Sequence, residues 1–513
     1  MKSARGVSFA LAILSLVSKP LGYVRTLIIA WAFGTSAGMD AFHLASGIIA
    51  LFAGNMGNAL ENAVLPELVR LRERTGNTEG VCRATAAFIS CFVIALTVLF
   101  IIVIVIAPGV LIRFFAGGFD TDRIVVGARM LWWFIPYTQV IMYKPMLDIW
   151  ANILERYTLS PMITTLFNFV AVPVLLISMR FIDVYSVAFS MSVGHFVTFS
   201  IFIICMRGTP VIWRARDVAW DSVKKICENS AYLLIIFAAS TLYTVVDRYF
   251  ASKLPIGSVA AISYAAMLIG ILVALASTPM TYFMSMITKS AVTNKMESLE
   301  MLKSAITIAF AYFIPLSTFL TAASGPIISL IFGWGNFDSR SVTMTSLCLA
   351  SYSVGFAFTV ASALISIYAR ALGRLKAVIV RTYLLVALSA ALNYALVYRW
   401  GLFGLAISTS LTQMVGFVIF YVVIIDASLI RFLVTAKFFH HLVISSTLAY
   451  AASLTSGFGS AVLLFVSVVL LTLYLFTAEK FGLMDPLPLG WRPSQFLKFV
   501  VSAAKSYASA GEK

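Results

Sequence analysis

Fourteen stretches of apolar sequence, each long enough to cross a bilayer as a helix, dictate what this chain can become. A helix needs roughly 20 apolar residues to cross about 30 Å of hydrocarbon. The predicted spans are 8–33, 39–66, 84–107, 127–152, 160–179, 184–206, 230–252, 257–288, 303–332, 342–369, 377–398, 402–425, 438–455 and 459–479. A backbone in lipid must satisfy its own N–H and C=O groups, so such runs read as helices. A mean hydropathy of +0.97 with 11% charged residues excludes a soluble chain built around one apolar core. The sequence predicts an all-α polytopic membrane protein.

Basic residues in short loops stay on the cytoplasmic side. Arg70, Arg72, Arg74, Arg83, Arg156, Arg214, Arg216, Lys224, Lys225, Lys289 and Arg374 are among those that fall in alternate loops, whereas the opposite loops hold Arg113, Arg123, Arg180, Lys253, Arg340 and Arg399. This bias places both termini in the cytoplasm. It also accounts for the net charge of +16 as basic loops beside anionic lipid rather than as a nucleic-acid surface. The five cysteines, Cys82, Cys91, Cys205, Cys227 and Cys348, have neither CxxC spacing nor an outer-side location, so neither a disulfide framework nor a metal site is expected. The basic start and first apolar run resemble a signal peptide, but Lys19 and Arg25 interrupt the run, and it is taken as the first span.

The chain repeats itself. Nine residues after Arg25 comes Gly34 in GTSAGMDAF, and nine residues after Arg248 comes Gly257 in GSVAAISYA, an offset of 223 residues. Both copies end one hydrophobic helix and open another. An internal repeat near half of the helical span predicts two lobes of six helices with a site between them, followed by two C-terminal helices. The corresponding divisions are 1–207 for the N-terminal lobe, 208–229 for a basic interfacial linker with Trp213 and Trp220, 230–426 for the C-terminal lobe, 427–480 for the last two spans and 481–513 for a cytoplasmic tail.

Charges at membrane depth single out candidate site residues, because a lipid-facing charge costs several kcal/mol. Lys19, Arg25 and Asp40 lie in or at the edge of the first two spans. On the second span, Asp40, His43, Gly47, Gly54, Asn55, Asn58, Glu61 and Asn62 lie along one line at about 100° per residue, a face that reads either as a cavity wall or as tight helix packing. Lys144 and Asp148, four residues apart, are placed to neutralise one another. Asp247 and Arg248 are adjacent and need separate partners, and His440 and His441 are expected against lipid headgroups. No nucleotide-binding phosphate loop, metal-ligand cluster or nucleophile–base motif occurs, so the expectation is a transporter rather than an enzyme, without cofactor.

SKPLGYVRTLIIAWAFGTSAGMDAF, VVDRYFASKLPIGSVAAISYAAML, YSVG, YARALGRLKA and GLFGLAIS together resemble the MurJ/MviN family of lipid-linked glycan flippases, within the multidrug/oligosaccharidyl-lipid/polysaccharide exporter superfamily. The similarity runs from about residue 10 to 480. It implies a bacterial inner-membrane protein with two lobes around a cationic cavity, carrying a polyprenyl-diphosphate-linked glycan outward by alternating access. On this resemblance Arg25 matches a cavity arginine, Asp40 a cavity-edge acid, and Lys19 stands where arginine is usual. Two arginines of the pattern are replaced here, by Phe52 and Met267. With fewer diphosphate-facing cations the expected substrate is an exopolysaccharide repeat unit, held by Arg25, Lys19, Asp40 and the Asn55, Asn58 and Asn62 face. The peptidoglycan precursor lipid II is the first alternative, a cation-coupled drug exporter the second, and a membrane glycosyltransferase or polymerase a third that the short loops disfavour. A monomer among membrane lipids is expected, with the coupling ion left open and no nucleic-acid partner.

Overall fold

The computed structural model describes residues 20–74, 79–206, 218–424, 436–454 and 459–480, and among these no strand forms. Lys19 and the tail beyond 480 lie outside the described residues, as do Trp213 and residues 208–217 of the expected linker. Among the described residues ten helices are long and apolar enough to cross a membrane, or eleven if one bent pair counts as a single span. Pro20–Phe33 (α1) is a shorter apolar helix within the first predicted span. The described part of every predicted span falls chiefly on helix.

The departures from simple spans trace to particular residues. The second span runs as α2 (Ala37–Ile49), a π-helical turn over Ala50–Gly54, and α3 (Asn55–Arg74). After α4 (Glu79–Ile106), Pro108 opens the short α5 (Pro108–Phe115). The predicted span 127–152 is two helices, α6 (Thr121–Trp133) and α7 (Ile135–Ile153), bent by 49° where Pro136 opens α7. Next come α8 (Leu159–Ile182), α9 (Tyr185–Cys205), α10 (Trp220–Ala251) and α11 (Ser258–Thr293). The span 303–332 divides at Ala323, just before Gly325 and Pro326, into α12 (Lys295–Ala322) and α13 (Ser324–Phe332). α14 (Ser339–Ala371) is followed by α15 (Leu375–Ile424), which joins two predicted spans through a non-helical Gly401 at φ 56° and ψ −131°. Ala436–Ser453 (α16) and Ser460–Lys480 (α17) close the described chain.

The chain forms two compact units, residues 1–260 with 334–338, and 261–333 with 339–513. The first therefore extends beyond the expected lobe end at 207. The reason is α10, which starts already at Trp220 inside the expected linker and packs along α3. Trp220 stacks edge-on against Phe88 of α4 at 5.0 Å, and Ser222 donates to Glu67 of α3 at 3.1 Å. Within the first unit, Leu147, Ala151, Ile163, Phe202 and Met206 form a core of α7, α8 and α9.

The second unit is centred on Phe310, Phe356, Phe417 and Tyr421 from α12, α14 and α15. There Gly355 lets α14 approach α15 closely: its N–H donates to Ser410 Oγ at 2.9 Å, and Ser410 donates to the Ser351 carbonyl at 2.5 Å. Small residues and hydroxyls substitute here for the hydrophobic drive that is missing between helices in lipid. His441 departs from its expected headgroup position. It is buried on α16, with Nδ1 against the hydroxyl of Tyr474 on α17, because the tyrosine offers a polar partner inside the helix pair. The side chain of His440 lies outside the described residues.

Candidate functional site

The two copies of the repeat build the same local structure. Gly34 and Gly257 both adopt positive φ, 53° and 94°, and both lie in the connection between one helix and the next. A Cβ on Gly257 would lie 2.6 Å from the Thr35 carbonyl oxygen, and one on Gly34 would run into that of Asn336, so backbone passes directly over both positions. The last turn of α1 is held by Asn336, whose N–H donates to Trp31 O at 2.8 Å and whose Nδ2 donates to Ala32 O at 2.7 Å. The turn after α10 is held in the same fashion by the 117–120 loop, where the Gly118 N–H donates to Ser252 Oγ at 3.2 Å. All of these groups belong to the first unit.

Asp40 is the centre of this arrangement and is completely buried. Its carboxylate accepts from the Gly257 N–H at 2.7 Å and the Ala260 N–H at 2.8 Å, satisfying orphan donors at the start of α11. Arg123 Nη1 lies 3.6 Å away, and the same guanidinium donates through Nε to Asp120 at 2.8 Å and stacks over Phe119 at 4.6 Å. Asp120 also caps α6, and the hydrogen bond from Arg123 holds its carboxyl below the ordinary aspartate range. Asp40, expected as a cavity-edge acid that helps hold the substrate, is thus committed to backbone amides and Arg123. Asp40 is a latch within the first unit, with no oxygen left facing a cavity.

Arg25 has the opposite character. Its Nε and Nη1 are buried and, among the described residues, have no hydrogen-bond partner. The guanidinium stacks over Phe167 of α8 at 5.0 Å, and Tyr137 of α7 and His195 of α9 lie within its electrostatic range. His195 packs against Phe167 with ring centroids 3.9 Å apart and against Tyr137 at 4.8 Å, and its Nδ1 meets the Met191 carbonyl at 2.9 Å. An unpaired cation on an aromatic platform has the chemistry to accept an anion. Tyr137, Phe167 and His195 were not singled out by sequence reading. His195 carried the one available signal, an ionisable side chain in mid-span.

The asparagine face divides. Asn55 is buried and fully engaged, donating to Leu51 O at 2.9 Å and accepting from Thr241 of α10 at 3.0 Å, so it stitches two helices together rather than lining a cavity. Asn58 and Asn62 are exposed, with Asn62 Nδ2 donating to the Asn58 carbonyl at 2.8 Å. Phe52 lies on the π-helical turn in an aromatic cluster with Phe100 and Phe115, at ring distances of 5.2 and 6.1 Å. Met267 is half-buried on α11 in the second unit. Of the expected binding residues that are described, the structure leaves Arg25, Asn58 and Asn62 with polar atoms to offer. Among the described residues no group of three or more His, Cys, Asp or Glu is arranged to hold a metal ion.

Solved structures share this architecture. One titled "Lipid II flippase MurJ, inward closed conformation" superposes with a TM-score of 0.74 at 16% identity, over 92% of this chain and 99% of that one. The inward-facing conformation of a multidrug resistance MATE family transporter of the MOP superfamily gives 0.65 at 18% identity, over 78% and 92%. The fold defines a polytopic α-helical membrane protein of the type these transporters share. A family model described as "Lipid II flippase MurJ" matches residues 29–483, and the chain belongs to the MurJ family. Among curated relatives, a probable lipid II flippase MurJ of Thermotoga maritima is 25% identical over 405 residues, 78% of this chain and 81% of the relative. The lipid II flippase MurJ of Burkholderia cenocepacia is 24% identical over 354 residues, 66% and 68% of the two chains.

Proposed function

We propose that this protein is a bacterial inner-membrane flippase for lipid II, moving the undecaprenyl-diphosphate-linked peptidoglycan precursor to the outer leaflet. The observation that carries the reading is Arg25, a buried guanidinium in the first span with two N–H-bearing nitrogens unpartnered among the described residues. A diphosphate would supply the missing acceptors, and in a low-dielectric setting such charge-assisted bonds are the strong ones. Membership of the MurJ family, whose matched relatives are named as lipid II flippases, moves the preference from an exopolysaccharide unit to lipid II. Phe52 and Met267, which argued for the exopolysaccharide unit, then mean that the headgroup is gripped with fewer cations and more aromatic and amide contact.

Arg25 would bind and orient the diphosphate, with Phe167 fixing its guanidinium plane, while Asn58 and Asn62 offer hydrogen bonds to sugar hydroxyls. Asp40 and Arg123 would act at a distance from the headgroup, by holding the connections that frame the repeat. The test is rescue of a strain depleted of its own lipid II flippase. Growth on expression of this chain at ordinary abundance supports the proposal, and failure at verified abundance and membrane insertion refutes it. Rescue that appears only when Phe52→Arg and Met267→Arg are combined would restore the exopolysaccharide reading.

A further inference from the structure

We propose that Glu61, Lys144 and Asp148 form a binding site for one monovalent cation, proton or sodium, within the first unit. Lys144 Nζ bonds Asp148 Oδ2 at 2.7 Å and donates to Ser160 Oγ at 3.2 Å. The pair alone would be neutral, as the spacing on α7 predicts. The structure adds a third charge: Glu61 of α3 lies within electrostatic range of both Asp148 and Lys144. Among the described residues Glu61 has no hydrogen bond or salt bridge, and the second oxygen of Asp148, Oδ1, is buried without a partner. Asp148 is only 7% exposed. Two carboxylates and one ammonium leave a net charge of −1 at membrane depth, which one added positive charge removes.

The helix packing prepares the same spot. Gly57, one turn before Glu61, brings α3 so close to α7 that a Cβ there would lie 2.9 Å from the Ile141 carbonyl oxygen and 3.1 Å from Pro145 Cγ. Pro145 has no N–H, so the Ile141 carbonyl loses the helical donor it would otherwise have. Ile141, Lys144, Pro145 and Asp148 share one face of α7, and Gly57 and Glu61 share the facing side of α3. A hard monovalent cation wants such oxygens, a carbonyl and two carboxylates. Lys144 also lines a cavity of about 230 Å³ together with Thr164, Phe167, His195 and Phe202, so the cluster is approached through its ammonium. Other titratable groups on the packed elements include His195 of α9, Tyr137 and Tyr143 of α7, Cys91 of α4 and, further along α3, Glu67, Glu73 and Arg72, whose Nη1 donates to the Ile153 carbonyl at 2.8 Å. Glu67 is already occupied by Ser222 and by Arg70 at 3.7 Å.

The inference is independent of which lipid is carried, and its test uses no lipid substrate. The purified full-length protein is reconstituted into liposomes and charge displacement is recorded on a solid-supported membrane. One arm applies a sodium step at constant pH, the other a pH step in choline buffer. A response in the first arm assigns sodium, and one in the second assigns a proton. In the responding arm Glu61→Gln should raise the half-saturating concentration on the order of tenfold or more, as loss of a charged ligand does, while Glu61→Asp retains part of the response. Asp148→Asn should act like Glu61→Gln, with thermal stability recorded for each variant so that only folded protein is compared. No response to either cation from the wild type, or an unchanged response from folded Glu61→Gln, overturns the proposal.

Discussion

Truncating Asp40 to alanine should destabilise the protein far more than truncating Arg25, although both are charged residues of the first two spans. Asp40→Ala leaves the Gly257 and Ala260 amides, now bonded at 2.7 and 2.8 Å, without acceptors in a fully buried site. Each unsatisfied buried donor costs about 1–3 kcal/mol, so the two together predict roughly 2–6 kcal/mol. Arg123 loses its Asp40 contact at 3.6 Å but keeps Asp120 and Phe119, which adds little. Asp40→Asn keeps one acceptor oxygen and should cost about half as much. Arg25→Ala removes stacking on Phe167 but no hydrogen bond among the described residues, and should fall within about 1 kcal/mol of wild type. Reversible unfolding in mixed micelles, with thermal melts in detergent as a check, measures all three. Asp40→Ala as stable as Arg25→Ala would refute the latch.

Three further outcomes are expected. Gly257→Ala, at φ 94° and 2.6 Å from the Thr35 carbonyl oxygen, should cost about 2 kcal/mol or more, and equal stability of the variant in the same unfolding assay would contradict the close approach. On the basic-residue bias, a cysteine at Arg74 should be shielded from an impermeant thiol reagent in intact cells while one at Arg340 reacts, and the reverse labelling would invert the topology. Placing arginine at Phe52 should break its packing with Phe100 and Phe115 yet raise affinity for diphosphate lipids, read as tighter binding in detergent, and weaker binding by the folded variant would show the aromatic cluster to be the working feature.

Length and hydropathy made the helices legible, since nothing but a helix satisfies a run of twenty residues in lipid. The breaks at Pro108, Pro136 and Pro326 were not anticipated by spans drawn on hydropathy alone, although each proline marks its break locally. Asp40 was legible as a buried charge but its partners were not: Gly257 and Ala260 are 217 and 220 residues away and contribute backbone amides, which leave no mark in side-chain identity. The polar line drawn from Asp40 to Asn62 assumed 100° per residue throughout. The π-helical turn at Ala50–Gly54 takes more residues per turn and rotates α3 relative to α2, so Asp40 and Gly47 are buried in the first unit while Asn58 and Asn62 emerge. Gly47 itself is reserved for the guanidinium of Arg248, against which any side chain at 47 would collide. Arg25 was named from its depth and from the family resemblance, and the aromatic platform of Phe167, Tyr137 and His195 comes from three distant helices that no local pattern links to it.

Translocation of lipid II by the purified protein in liposomes, with wild type and Arg25 variants at matched density, tests the central claim most directly. The account predicts transfer by wild type, partial transfer by Arg25→Lys, which keeps a point charge but not the planar fork, and none by Arg25→Ala despite a wild-type fold. Transfer by Arg25→Ala at the wild-type rate would contradict it.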